Sequence, residues 1–529
     1  MVSRIVIPEI PEEERTPVVL ALLEIIRLQQ EQIQELKDEI ARLKGQKPKP
    51  KIKPSSLEKP SGAKDKRRRS GKRPGSSKRK KKPPIHETIV LSPRDVPEGS
   101  RFKGYADFTV QGLVFGPHNR LYRRQRWETP GGDLITAALP DDVKCLGGHF
   151  DARLQSFILH QYHHCHVTQP LILEQLRELG VDISAGQINR IITEDKERFH
   201  KEKDEILRVG LRACRHVNVD DTGARHKGKN GFCTHIGNEM FAWFQSTAAK
   251  NRLNFLRLLG AGGDDYVLNT DALEYMKDQK LPKAYIERLM NAGWTVCTGE
   301  ADWDNTLVSL GITNSRHIRI ATEGAVLGGI LEHDALNPDL VILSDDAGQF
   351  DILVHALCWI HAERSIKKLV GFNKAQRAAV ADVRDKIWEF YQDLKAYKSK
   401  PTPKMRSELE RRFDRIFTMR TCYASLDQAL RRIHKNKTEL LLVLERPDIP
   451  LHNNLSERDI REYVKKRKIS GSTRSDAGRR CRDTFASLKK TCRKQGIGFW
   501  EYLLDRVRGT NCIPWLPYLM QQRLAVALE

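Results

Sequence analysis

Apolar residues recur every seven positions in the segment that spans residues 18–44, at two sites of a heptad. The first site carries Val19, Ile26, Ile33 and Ile40, and the second carries Leu22, Gln29, Leu36 and Leu43. β-branched residues at the first site and mostly leucine at the second favour a parallel two-stranded coiled coil. The alternative is a single amphipathic helix packed on its own domain. We expect a coiled-coil dimerisation helix over 18–44, and with it a homodimer or a higher oligomer.

The apolar pattern changes to two short helices after residue 170, and Ser184 begins the second of them. Gln187 follows three residues later, which is the spacing of a capping box. The second helix would expose Gln187, Asn189 and Arg190, side chains that can bond to base edges or phosphates. A helical hairpin without nucleic acid is the alternative. We expect a helical DNA-binding domain with a helix-turn-helix over 150–208.

Short apolar segments predict strands around 216–220, 232–236 and 240–244, followed by a helix over 248–259. The Asn230-Gly231 pair between the first two strands is a hairpin signal. Together these patterns predict a three-stranded meander with Asp220 at the end of its first strand.

Two further acids stand where elements end or begin. Asp345 directly follows the apolar run 340–344, and Asn454 is expected to cap a helix that holds Glu457 in its first turn. Hard divalent cations prefer oxygen ligands, and two of them can activate a nucleophile and stabilise the leaving oxygen in phosphoryl transfer. Single acids at such positions are usually turn formers or caps, so their positions alone do not establish a shared site.

Basic charge is concentrated in one segment of the 529-residue chain, whose net charge is +23. Residues 44–82 hold 18 Lys or Arg and 2 acids, which gives +16 and leaves +7 for the rest. We expect 45–84 to be a disordered basic linker, because it has too few apolar groups to offset the entropy of ordering. Its runs Lys66, Arg67, Arg68, Arg69 and Lys78–Lys82 should bind phosphates without reading sequence. A nuclear-import signal is the alternative for the second run, and a solvated linker without a specific role is the alternative for the whole segment.

Several protein classes are excluded by composition. No apolar run reaches the ~18–20 residues of a membrane helix, and acids at positions 12–14 precede the first apolar stretch, unlike a secretory signal. The ten cysteines include no Cys-x-x-Cys pair, which argues against a disulfide scaffold or a zinc ribbon. We therefore expect a cytoplasmic protein without a membrane partner.

Two other segments carry weaker signals. Gly and Pro turns among short apolar alternations predict a small β-rich module over 85–145. The crowded residues His160, His163, His164, Cys165 and His166 resemble a metal cluster, but they lack a second ligand pair at zinc spacing, so we expect packing or capping roles.

Three motifs resemble those of DDE transposases of the insertion sequence 66 family, bacterial enzymes with an RNase H-like catalytic core. They are Val219-Asp220-Asp221-Thr222-Gly223, then Ser344-Asp345 with Cys358-Trp359-Ile360-His361-Ala362-Glu363-Arg364, and finally Asn453-Asn454 through Glu457-Arg458-Asp459-Ile460-Arg461. The resemblance covers most of the chain, and the Cys-Trp-x-His-Ala-x-Arg segment is its most specific part.

The resemblance implies an α/β multidomain fold in which an RNase H-like mixed-sheet core follows the coiled coil, the β-rich module and the helix-turn-helix. The first part of the core would span 212–365, with an inserted subdomain over about 261–338. A helical insertion would span 366–450, and residues 451–529 would complete the core and add C-terminal helices.

The function that the resemblance implies is DNA transposition. Asp220, Asp345 and Glu457 would be the catalytic acids and would hold two magnesium ions, with manganese as a substitute. They would support strand cleavage at the element ends and attack of the freed 3′-hydroxyl on target DNA. The partners would be double-stranded DNA of the terminal inverted repeats and of the target, together with accessory proteins. The protein would act in the bacterial nucleoid.

The sequence also contains alternatives to the three acids and further candidate metal ligands. Asp271 is an alternative to Asp345 as the second acid. Asp221 and Asp346 would be the catalytic acids in place of their neighbours if the motifs were aligned one residue later. Cys358 and His361 could be metal ligands, although packing or DNA contact is preferred.

A basic stripe follows the third acid at helical spacing. Arg458, Arg461 and Lys465, with Lys468 after them, could contact phosphates or form only a solvated face. Residues 84–140 lack the paired cysteines that the family often has there, which puts a zinc site in doubt.

Three other functions compete with transposition. They are a catalytically decayed, transposase-derived DNA-binding protein, an RNase H-like nuclease that cleaves without joining, and a structural coiled-coil scaffold.

Overall fold

A computed structural model describes residues 85–91, 115–140 and 149–528, apart from 261–264, 293–295 and 334, together with the single positions 19, 29, 100, 105 and 110. Within the predicted coiled coil, Val19 and Gln29 are described, and both are helical. The rest of that segment lies outside the described residues. So does the whole basic linker, including Lys66, Arg67, Arg68 and Arg69.

The described part of the predicted β-rich module holds one antiparallel hairpin, with strands β1 (Arg126–Glu128) and β2 (Leu134–Thr136). Both strands are exposed along their whole length. The predicted Pro-Gly-Gly turn joins them, and Gly132 adopts a positive φ of 87° there. A packed module over 85–145 therefore stays a prediction.

Four helices follow, and the first three pack around a small apolar core of their own. They are α1 (Ala152–His163), α2 (Gln169–Glu178), α3 (Ala185–Thr193) and α4 (Glu197–Ala213). The predicted capping box at the start of α3 is confirmed: Ser184 N donates to Gln187 Oε1 at 2.8 Å, and Gln187 N donates to Ser184 Oγ at 3.2 Å. Ile172, Ile188 and Ile192 are buried between these helices.

A mixed five-stranded sheet is built from strands that follow α4. The remaining strands, in chain order, are β3 (His216–Gly223), β4 (Phe232–Gly237), β5 (Ala242–Thr247), β6 (Asp265–Val267), β7 (Val296–Thr298), β8 (Val341–Ser344) and β9 (Val354–Leu357). The order of the strands in the five-stranded sheet is β5-β4-β3-β8-β9. Strands β3 to β5 form the predicted antiparallel meander, while β8 runs parallel to β3 and β9 parallel to β8. This arrangement is consistent with an RNase H-like core.

The hairpin between β3 and β4 turns at a different place from the predicted one. Lys227 and Gly228 have φ values of +48° and +77°, the signs that a type I′ turn requires at both central positions. The Asn230-Gly231 pair instead precedes β4. Gly231 is needed there because a Cβ would lie 2.7 Å from the carbonyl oxygen of Ala224.

Strand β8 is buried on both faces, which explains its continuous run of apolar residues. Ile342 faces a core that also contains Val217 and Val219 of β3. Val341 and Leu343 alternate to the opposite face and pack in a second core with helices of residues 374–441.

Between β5 and β8 lie helices and a two-stranded sheet of β6 and β7, and all of them except the first helix fall within the region of about 261–338 predicted as an inserted subdomain. The helices are α5 (Arg252–Leu259), α6 (Thr270–Asp278), α7 (Lys283–Met290), α8 (Glu300–Ser309) and α9 (Ser315–Glu332). Helix α5 begins later than predicted because Asn251 caps it, its side chain accepting from Asn254 N at 2.8 Å.

The region after β9 is helical, as predicted for the insertion and for the end of the chain. Its elements are α10 (Trp359–Lys367), α11 (Lys374–Ser399), α12 (Pro403–Phe417), α13 (Ala424–Lys435), α14 (Lys437–Leu441), a 3₁₀ turn (Leu442–Leu444), α15 (Asn454–Ser470), α16 (Asp476–Lys494), α17 (Phe499–Arg508) and α18 (Leu516–Leu528). Among the described residues, none of the helices is both long enough and apolar enough to cross a bilayer.

Candidate active site

The first two predicted acids belong to neighbouring parallel strands. Asp345 directly follows β8, as predicted. Asp220 lies inside β3 and not at its end, because the pairing of β3 with β4 continues to Gly223. Asn218 of β3 pairs with Leu343 of β8, so the same register carried two residues further places Asp220 beside Asp345. Neighbouring strands are about 4.8 Å apart, and residues in register point to the same face of a sheet. Burial, and then the negative charge of Asp345, raise the pKa of Asp220 to about 7.

The third predicted acid, Glu457, lies in the first turn of α15, as expected. Its negative charge also acts on Asp220 and contributes to the raised pKa of that carboxyl. The start of the helix differs from the prediction, because Asn453 and not Asn454 is the N-cap residue, and its side chain caps no helical N–H.

The side chain of Asn453 is instead bonded to the strand that carries Asp220. Asn218 Nδ2 donates to Asn453 Oδ1 at 2.9 Å, and Asn453 Nδ2 donates to the carbonyl oxygen of Val219 at 2.7 Å. Both asparagines are essentially inaccessible to solvent. These bonds attach the first turn of α15 directly to β3.

A second attachment holds α15 to β4. His235, the register partner of Asp220, forms a hydrogen bond through Nδ1 with Ser456 Oγ at 2.6 Å, and its Nε2 lies 3.3 Å from Asp459 Oδ2. Burial alone would raise the pKa of Asp459, but His235 and Lys494 (2.6 Å from Oδ2) hold it well below its usual range. Glu457 is therefore flanked on both sides by residues that fix the helix to the sheet.

The Cys-Trp-x-His motif supports the same helix start. The Cys358 Sγ accepts a hydrogen bond from Asn453 N at 3.2 Å, and Trp359 N donates to Leu451 O at 3.0 Å. Burial raises the pKa of the Cys358 thiol to about 11, which opposes the thiolate form that metal binding requires. A structural role for Cys358 is therefore favoured over metal ligation.

The other two polar residues of that motif reach the third acid. Arg364 Nη1 donates to Glu457 Oε1 at 2.8 Å, and His361 Nε2 lies 3.7 Å from the same oxygen. Arg461, one turn further along α15, approaches Glu457 Oε2 at 3.5 Å. His361 and Arg364 are three residues apart, so both lie on one face of α10. This spacing is the feature of the sequence from which a shared contact of the two side chains could have been predicted.

The three alternative acids, Asp221, Asp346 and Asp271, are either bonded to other side chains or exposed. Both oxygens of Asp221 are engaged, by Thr234 Oγ1 at 2.5 Å and by Gln349 Nε2 at 2.9 Å, and Asp346 Oδ1 accepts from Asn436 at 3.2 Å. Asp271 is exposed in the first turn of α6. The geometry therefore favours Asp345 as the partner of Asp220.

The residues of this site fit a divalent cation in part. Asp345 Oδ1 is buried, and none of the described residues forms a hydrogen bond with it, which is what a ligand oxygen of a divalent cation requires. Asp220 adds a neighbouring carboxylate. In this conformation, the described residues contain no three His, Cys, Asp or Glu side chains grouped to hold a metal ion, and the Oε1 oxygen of Glu457 is bonded to Arg364.

The predicted DNA-contacting residues are mostly exposed. On α3, Asn189 and Arg190 are exposed, whereas Gln187 is half-buried and its Oε1 is used in the capping box. The stripe Arg458, Arg461 and Lys465 is exposed on α15. Exposure does not test DNA binding, which stays a prediction for both surfaces.

The histidine-rich segment at the end of α1 is packed, as expected. The rings of His160 and His164 stack with centroids 4.5 Å apart, and His163 stacks on Phe485 at 4.1 Å. Burial lowers the pKa of His160 to about 4.

Comparison with known proteins adds a family and a relative. The model described as Transposase IS66 family matches residues 290–480, a range that includes Asp345, Arg364 and Glu457. The chain is also 44% identical over 304 residues to the "Uncharacterized protein y4jO" of Sinorhizobium fredii (strain NBRC 101917 / NGR234). That similarity covers 57% of this chain and 94% of the relative.

Proposed function

Because this chain belongs to the IS66 transposase family, we propose that it is a DNA transposase whose acids Asp220, Asp345 and Glu457 perform metal-dependent phosphoryl transfer. It would cleave DNA at the ends of the element and join the freed 3′-hydroxyl to target DNA. The observation that carries this proposal is the parallel register of β3 and β8, which, continued by two residues, aligns Asp220 with Asp345 on one face of the sheet.

The chain's own residues prepare the site for this chemistry. When bound, magnesium or manganese ions would activate the attacking hydroxyl and neutralise the phosphate charge. Asp220 and Asp345 would supply ligand oxygens from the sheet, and Glu457 would supply one from α15. The pKa of Asp220 near 7 means that its carboxyl is partly protonated at neutral pH in the metal-free site and must release that proton to act as a ligand.

Positioning is the second contribution of the protein. The bonds of Asn453 to β3 and of Ser456 to His235 keep the first turn of α15 on the face where the strand acids lie. Phosphoryl transfer depends on such positioning and on charge neutralisation, since no covalent protein intermediate is needed.

DNA would be held by surfaces outside the acids. The exposed stripe Arg458, Arg461 and Lys465 is suited to phosphates beside the site, and Asn189 and Arg190 of α3 are suited to the terminal repeats. The basic linker would hold DNA without sequence preference, and the coiled coil would pair two element ends.

The test is a strand-transfer assay with labelled DNA that carries the element end, a target plasmid and Mg²⁺. Asp220→Asn, Asp345→Asn and Glu457→Gln should each reduce cleavage and joining by about a thousandfold or more while end binding persists. Asp271→Asn and Asp346→Asn are the matched controls and should retain joining.

Other outcomes would contradict the proposal in distinct ways. Joining by the Asp345→Asn variant would refute the acid assignment. Wild-type protein that binds ends without cutting them would indicate a decayed transposase, and cutting without joining would indicate a nuclease.

A further inference from the structure

Glu457 and Arg364 form an ion pair at the place where the proposed function needs a free carboxylate. The Arg364 Nη1 to Glu457 Oε1 distance is 2.8 Å, and Glu457 is only 17% exposed. The same guanidinium nitrogen also donates to His361 Nε2 at 3.2 Å. An arginine side chain stays charged at every relevant pH, so it competes with any cation for this oxygen.

The contact with Glu457 engages only one of the three nitrogens of the Arg364 guanidinium. Among the described residues, the hydrogen bonds of the Arg364 side chain all run through Nη1, to Glu457 and His361. The side chain is 41% exposed, and its Nε and Nη2 are left for another partner. A planar guanidinium with two adjacent donors matches a phosphate group, which it can bind through two hydrogen bonds.

We propose that Arg364 exchanges partners during the reaction: it neutralises Glu457 in the free protein and binds a DNA phosphate once a divalent cation takes Glu457. This inference rests on the proposed function. It assigns Arg364 a direct contact with the substrate and explains why the third acid is engaged elsewhere when no DNA is bound. His361, which accepts from Arg364, would guide the side chain between the two positions.

A second arginine on the same acid offers a matched comparison. Arg461 Nη2 lies 3.5 Å from Glu457 Oε2, and its side chain is 69% exposed. Because such an exposed pair contributes little, its removal should change cation binding at Glu457 only slightly. Both substitutions remove one positive charge near the same carboxylate, so the pair separates direct competition from general electrostatics.

The first experiment measures Mn²⁺ binding to the DNA-free full chain by the loss of the free-ion electron paramagnetic resonance signal. Arg364→Gln should bind Mn²⁺ roughly fivefold more tightly than wild type. Arg461→Gln and Arg364→Lys should remain near the wild-type value. Equal or weaker binding by Arg364→Gln, with an unchanged melting temperature, would overturn the proposal.

The second experiment measures cleavage of end DNA at saturating Mn²⁺. Arg364→Gln should cleave about a hundredfold more slowly, because a phosphate contact is lost, and Arg364→Lys should recover part of the rate. An unchanged rate in Arg364→Gln would overturn the phosphate contact.

The Asp345→Asn variant separates this inference from the proposed function. If Asp345→Asn does not reduce Mn²⁺ binding, the proposed metal site itself is wrong. If Asp345→Asn abolishes binding but Arg364→Gln fails to tighten it, only the exchange of partners is wrong.

Discussion

Asn218 and Asn453 are joined by a buried side-chain hydrogen bond of 2.9 Å across a separation of 235 residues. Asn218 lies two residues before Asp220 on the same strand, and Asn453 directly precedes the helix of Glu457. Asn453 also donates to Val219 O and, through its backbone N–H, to Cys358 Sγ. One residue, Asn453, therefore connects the strand of the first acid, the helix of the third and the Cys-Trp-x-His segment.

Removal of the side-chain amide of Asn453 should weaken both the attachment of the helix to the sheet and the stability of the fold. Asn453→Ala leaves the amide of Asn218 and the carbonyl of Val219 without their partner in a buried place, so we expect the free energy of unfolding to fall by about 2–4 kcal/mol. Urea unfolding measures this loss, and Asn454→Ala is the control, expected to change stability by less than about 1 kcal/mol. Equal effects of the two substitutions would show that the amide connection is not important.

The raised pKa of Asp220 predicts how stability depends on pH in the absence of metal. The folded protein holds a proton on Asp220 up to about pH 7, whereas the carboxyl in the unfolded chain loses it near its ordinary value of 3.8. The folded state therefore binds more protons between these values, and this residue lowers the free energy of unfolding as pH rises through that window.

The Asp220→Asn variant removes this effect because an amide imitates the protonated acid. It should be more stable than wild type by about 2–3 kcal/mol at pH 8 and by much less at pH 4.5, after allowance for partial solvent screening. Thermal unfolding at the two pH values, with EDTA present, measures the difference. The exposed Asp271→Asn control should show no such contrast, and a larger gain at pH 4.5 would contradict the cause that we assign.

Divalent cations should stabilise the wild-type protein. A cation that binds the folded site relieves the repulsion between Asp220 and Asp345, so millimolar Mg²⁺ or Mn²⁺ should raise the melting temperature by a few degrees, about 1–2 kcal/mol of linkage. Addition of EDTA should reverse the shift. The same shift in an Asp345→Asn variant would place the binding elsewhere.

Residues of α3 should contribute unequally to binding of the element end. Arg190→Ala removes an exposed cation and should weaken end-DNA binding about tenfold, with a smaller salt dependence. Gln187→Ala instead removes the acceptor for Ser184 N, so it should cost about 1 kcal/mol of stability and affect DNA binding less. Fluorescence anisotropy and urea unfolding separate the two effects. If neither substitution changes DNA binding, α3 is not the recognition helix.

Features that depend on neighbours in the chain could be predicted from the sequence. The apolar run before Asp345, the meander around Asp220 and the capping box at Ser184 all follow from local periodicity and short-range hydrogen bonds. The prediction of a hairpin turn at Asn230-Gly231 was wrong, because the turn lies at Lys227 and Gly228. The Asn-Gly pair favours a turn locally, but the pairing of β3 with β4 fixes where the chain reverses. The N-cap of α15 is likewise Asn453 and not the predicted Asn454, and the side chain of Asn453 bonds to the sheet.

By itself, the sequence determined the elements of this protein and the residues able to carry its chemistry, since hydrophobic period and residue type are properties of short stretches. Tertiary structure decided which of those residues meet. The parallel register places Asp220 beside Asp345. Asn218 donates a hydrogen bond to Asn453, and Arg364 donates one to Glu457. Such contacts join residues separated by 93 to 235 positions, and they form only because burial of the sheet and its helices brings those positions together.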